Sequence, residues 1–131
     1  MNTLRARVLS TESVEKLSVS HFVCVDTELS MISLELPERF MLHREVTLGF
    51  NAMAVGVAKS FEGELSYSNQ LKCTLQSITK GKLLCELLLS FGSQQLRSII
   101  TTQRAEAMGL VKGDTLIALI KANELFVVEV H

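Results

Sequence analysis

The chain of 131 residues repeats itself, and that limits it to two copies of one small unit. Val46-x-Leu48-x-Phe50-Asn51-Ala52-Met53-x-Val55-x-Val57 aligns without gaps on Leu116-x-Ala118-x-Ile120-Lys121-Ala122-Asn123-x-Leu125-x-Val127, always 70 positions later. Asn2, Leu4 and Val8 recur as Asn69, Leu71 and Leu75 at a spacing of 67. A small change of offset is what insertion or deletion in a loop between strands leaves behind.

Period-two alternation dominates each copy. Leu4, Ala6 and Val8 share one face of a strand while Arg5 and Arg7 take the other. The same pattern predicts further strands over 19–25, 29–36, 46–50, 54–58, 71–78, 83–89, 96–100, 115–120 and 125–130, five to each half. One helix is predicted over Gln103 to Met108, with Thr101 or Thr102 as its cap and Gly109 as a left-handed terminator. Pro37 to Leu42 reads as its shorter counterpart, with Pro37 in the first turn. The boundary is placed in Phe61 to Tyr67, dividing the chain into units 1–63 and 64–131. Five strands and one short helix in so little chain suit a Greek-key barrel of the oligonucleotide/oligosaccharide-binding (OB) type. The expected fold is therefore mostly β: two tandem five-stranded OB-like barrels, each with one short helix. Barrels that small lean on a partner surface.

Composition removes several function classes. Thirteen Lys and Arg stand against 14 Asp and Glu, a net charge of −1, so no nucleic-acid footprint is present. An OB barrel that binds single strands wants a basic groove with exposed aromatics, and only six Phe and one Tyr are available. The N-terminus has no unbroken apolar run and no stretch is long and apolar enough to span a membrane, so a cytoplasmic protein is expected. Cys24, Cys73 and Cys85 lack C-x-x-C spacing and sit in strand-like segments, where they read as small core residues. His21, His43 and His131 form no i, i+4 pair, and no Ser-His-Asp or Cys-His arrangement stands out, so neither a metal site nor an enzyme is expected.

Ser66-Tyr67-Ser68-Asn69-Gln70-Leu71-Lys72-Cys73 resembles the Ser-Ala-Arg-Asn-Gln-Leu-Lys-Gly opening of the molbindins, the molybdenum-binding Mop/TOBE domain family. Ile99-Ile100-Thr101, Gly109 to Asp114, and Ala118-Leu119-Ile120-Lys121-Ala122-Asn123 are similar to three later family blocks in the same order. The likeness spans the second unit. The first unit is similar but degraded: it opens at Asn2, and Asn51-Ala52-Met53 stands where the family has Lys-Ala-Ser. The tandem resembles a two-domain molbindin, and no helix-turn-helix segment precedes it, so a full-length regulator is not expected.

That resemblance implies binding of molybdate or tungstate as a ligand, with no covalent cofactor. A tetrahedral dianion has four acceptor oxygens and no proton to give, so its site needs converging donors and no carboxylate. By resemblance the ligand positions are Ser66, Ser68, Asn69, Thr101, Lys121, Ala122 and Asn123. Arg104 is added as a possible replacement for the family Arg lost at Ser68, whose removal costs a charge-assisted bond of roughly 1.5–3 kcal/mol. The resemblance further implies a homo-oligomer, trimer or dimer, with anions at subunit interfaces, serving storage, homeostasis or sensing. The competing reading is a regulatory interaction module of molybdate metabolism whose anion sites have weakened or gone.

Overall fold

The computed structural model of the chain describes residues 1–34 and 42–131. Ten strands follow in the order β1 (Asn2–Val14), β2 (Leu17–Cys24), β3 (Thr27–Leu34), β4 (Glu45–Phe50), β5 (Gly56–Lys59), β6 (Asn69–Lys80), β7 (Leu84–Phe91), β8 (Gln94–Thr101), β9 (Thr115–Ile120) and β10 (Phe126–Val130). Helix α1 (Thr102–Ala107) sits between β8 and β9, and one-turn 3-10 segments at Ala52–Ala54 and Ala122–Glu124 precede β5 and β10. The fold is mostly β with two five-stranded antiparallel sheets, as the alternation predicts. The expected helix over Pro37 to Leu42 and the end of the strand drawn to Leu36 lie outside the described residues.

The repeat extends beyond what the aligned residues show. β2 and β7, and β3 and β8, keep the 67-residue spacing, and β4, the 3-10 turn and β5 match their counterparts at 70. Both first strands bulge at the same place, between Val8 and Ser10 and between Leu75 and Ser77. An extra residue there increases local twist and bends the strand, which curls each sheet over its apolar face. The β2–β3 and β7–β8 turns both need φ of 58°, supplied by Val25 and by Gly92. A Cβ on Gly92 would lie 3.0 Å from both methyl groups of Val25, so the two turns abut, and glycine at the second avoids pushing Val25 aside.

Neither sheet is made from one contiguous half. The strand orders are β10-β4-β1-β2-β3 and β5-β9-β6-β7-β8. Each expected unit thus lends its last strand to the other's sheet: β10 pairs with β4, and β5 pairs with β9. The inward residues of both sheets merge into one core that includes Phe22, Phe50, Leu71, Leu89 and Leu116. Burying each such side chain contributes about 1.5–3 kcal/mol.

Cys24, Cys73 and Cys85 are buried and free. Burial pushes the Cys24 and Cys73 thiols up to about 11, the first partly offset by a hydrogen bond from Gln94 and the second by one from the Ala118 backbone. They act as core filler. Among the described residues, no helix is long and apolar enough to cross a membrane.

Candidate functional site

Register decides which sequence-predicted residues meet. Asn69 opens β6 directly opposite Ile120 at the end of β9, so Ser66 and Ser68, which lead into β6, and Lys121, Ala122 and Asn123, which follow β9, flank the same end of this strand pair. Ser66, Ser68, Lys121 and Asn123 are exposed, whereas Asn69 and Ala122 are buried. Gln70 Nε2 donates to Tyr67 O at 2.9 Å and holds the approach to β6.

The Asn69 side chain is committed to the other half. Its Oδ1 accepts from Ser30 N at 2.7 Å and its Nδ2 donates to Ser30 O at 3.0 Å. Asn2 does the same in reverse, accepting from Arg97 N and donating to Arg97 O, both at 2.8 Å. Each asparagine satisfies the N–H and C=O of a strand on the outside of the opposite sheet, β3 or β8, where those groups have no ladder partner. The spacing of Asn2 and Asn69 was visible in the repeat, but nothing in the sequence pointed to this clasp.

The turns after β4 and β9 differ in one respect. Asn51 caps its 3-10 turn with its own side chain, Oδ1 accepting from Met53 N at 2.8 Å. Lys121 occupies the same place in the second half and makes no side-chain cap. Lys121 has no oxygen with which to cap this turn, and its exposed ammonium stands directly ahead of it, with Glu124 at the turn's far end. A helix-type N-terminus with no side-chain cap and an adjacent cation is suited to an anion oxygen.

Thr101 and Arg104 lie elsewhere. Thr101 is the cap of α1, its Oγ1 accepting from Arg104 N at 3.2 Å, while Thr102 is buried and donates to Gly81 O at 2.9 Å. Gly109 ends the helix at a φ of 61°, as expected. Thr101 pairs with Leu84, and the neighbouring Cys85 pairs with Lys80 at the far end of β6 from Asn69. The turn packed on β8 is Ala52–Ala54 of the first half, with Ser98 Oγ donating to Val55 O at 2.6 Å. The Ala122–Glu124 turn packs instead on β3. Ser66, Ser68 and Asn69 on one side and Lys121 to Asn123 on the other flank the same end of the β6–β9 pair, and the pairing of Thr101 sets it, with Arg104, apart from them.

The turn before β9 carries a charge pair that sequence reading missed. Asp114 sits 3.1 Å from Lys59 Nζ and accepts from Val111 N at 2.9 Å. The Val111 N–H first, and Lys59 second, hold the Asp114 carboxyl below its ordinary value of 3.8. A depressed pKa contributes stability that is present above the unfolded value and lost as pH falls through the folded one. Acid titration of stability should therefore show a decline beginning near pH 4 that Asp114→Asn removes; equal acid slopes in the two proteins would disprove the assignment.

Similarity to known proteins follows the same geometry. A family model for the TOBE domain matches residues 65–127, which contain β6 to β9 and all eight predicted ligand residues. A molybdate-binding protein from Sporomusa ovata is 30% identical over 51% of this chain and 100% of its own length, with a TM-score of 0.50. The chain belongs to the TOBE-domain (molbindin) family. The cytoplasmic molybdate-binding protein ModG, solved with molybdate bound, matches over 96% of this chain and 94% of its own at 20% identity. Its TM-score of 0.86 extends the two-unit fold across the whole TOBE-family chain. No curated protein matches by sequence.

Proposed function

We propose that this TOBE-family chain binds molybdate, and tungstate by the same chemistry, as a non-catalytic cytoplasmic protein of storage, homeostasis or sensing. The observation that carries the proposal is the Lys121–Ala122–Asn123 turn, which has an exposed lysine and no side-chain cap and follows β9 at the end where β6 begins, just after Ser66 and Ser68. The family membership and the molybdate-binding character of the two similar structures support it.

The boundaries 1–63 and 64–131 are retained as tandem units, with the first degenerate. Asn51 Oδ1 fills in the first unit the position that an anion oxygen would take in the second. Asn69 enters as a positioning residue, because its amide is bonded to Ser30. Thr101 and Arg104 join the remaining donors only if a second copy of the chain brings its α1 cap to the β6–β9 end, which favours a homo-oligomer with interfacial sites.

Molybdate at a hundred times its Kd should stabilise the fold by about 2.7 kcal/mol, seen as a rise in Tm. Tungstate should act alike and sulfate weakly. Lys121→Ala should weaken molybdate at least about tenfold, the cost of one charge-assisted bond. A thermal scan without response to either heavy anion would leave the competing reading, a regulatory module without anion sites, whereas an unchanged response in Lys121→Ala would keep anion binding and take it away from the Lys121 turn. The filled Asn51 turn favours that reading for the first unit alone.

A further inference from the structure

We propose that the outer face of β5, β9 and β6 is a binding site for a small-molecule carboxylate carried on an aromatic ring, separate from the oxyanion site. Ala58, Ile117 and Lys72 stand directly opposite one another across the three strands. With Ser60, Phe61, Gln70 and Thr115 they line a groove of about 540 Å³, within the usual range of roughly 300–1,000 Å³ for small-molecule sites. Ala58 and Ile117 give a flat apolar floor, and the half-exposed Phe61 ring gives an aromatic wall. Ser60, Gln70 and Thr115 present neutral hydrogen-bonding groups around one ammonium, and no carboxylate lines the groove.

The first half serves as an internal control. Arg5 takes the place of Lys72 and Glu45 that of Thr115, and Arg5 Nη2 meets Glu45 Oε2 at 2.8 Å. Phe126 takes the place of Gly56, and Phe126 with Val128 covers Gly49 so closely that a Cβ there would lie 2.7 Å from each. That face is filled and neutralised by its own side chains. In the second half, a Cβ at Gly56 would meet nothing within 4 Å, and among the described residues no carboxylate pairs with Lys72. One unpaired cation over an apolar floor selects a monoanion with a ring, because a bare inorganic anion would leave the floor and Phe61 unused.

The test is a titration of the full chain with benzoate, followed by backbone amide resonances. Saturable shifts are expected at Phe61, Lys72 and Ile117, with affinity reduced at least about fivefold in Lys72→Met and in Phe61→Ala, each losing one contact to the ring or its charge. Both substitutions are on the surface, and their amide spectra report directly that the fold persists. Absence of saturation, equal affinity in Lys72→Met, or inorganic phosphate acting as strongly at the same amides would overturn the proposal. So would displacement of benzoate by saturating molybdate, which would merge this groove with the oxyanion site. Unchanged benzoate affinity in the presence of molybdate supports it.

Discussion

Residues 64–131, produced alone, are expected to fold as a dimer and not as a monomer. In the whole chain this half receives β5 against β9 and sends β10 away to β4. Alone it has a β9 with one bare edge and a strand with no sheet to join, two exposed ladders that a compact monomer cannot satisfy. β10 matches β5 at the 70-residue spacing, as shown by Val57 and Val127, so β10 of one copy can take the β5 place in another. Two copies closing in this way give a symmetric, self-complementary pair. Sedimentation should show a dimer whose circular dichroism signal falls on dilution, because folding and association become one equilibrium. A concentration-independent folded monomer would show that β10 can turn back onto its own β9, and the exchange would then carry no stability.

Asn69→Ala is expected to cost roughly 2–4 kcal/mol, since it removes two hydrogen bonds and leaves the Ser30 N–H and C=O without partners at a buried site. For a chain of this size that corresponds to a fall in Tm of about 10 °C. Asn2→Ala breaks the matching pair with Arg97 but at the very start of β1, and its cost should be smaller. Denaturant titration of the two variants gives the comparison. If Asn69→Ala kept wild-type stability and lost only molybdate affinity, Asn69 would be a ligand donor after all, and the clasp would be incidental.

Alternation in the sequence predicted all ten strands, because side-chain polarity along a strand reports which face is buried. It does not report which strand lies alongside. Val55-x-Val57 and Leu125-x-Val127 suit either sheet equally, so the exchange of β5 and β10 could not be read from them. The candidate site was legible to the same depth. Ser66 to Asn69 and Lys121 to Asn123 were named from family blocks, and the pairing of β6 with β9, which no feature of the sequence had indicated, puts both at one end of that strand pair. Asn69 looked like a donor to a ligand because an amide that serves a backbone and one that serves an anion have the same composition. Thr101 was grouped with the others by family order and Arg104 was added as a stand-in for the Arg missing at Ser68, whereas register places Thr101 by Leu84, at the other end of the sheet. Asn51 is the instructive case: the change from Lys to Asn was visible, but only the 2.8 Å bond to Met53 N shows that the substitute closes the slot by itself.

The exchanged strands also set the terms on which the two halves can diverge. A duplicated unit that loses its original task is ordinarily free to drift toward deletion. Here β5 is contributed by the half that carries Asn51-Ala52-Met53 where the other has Lys121-Ala122-Asn123, and β9 depends on it for its second partner. Any change in the first half that displaced β5 would therefore strip one edge of β9 in the second, so this closing strand is held to a sheet in which the other described strands of its own half have no part.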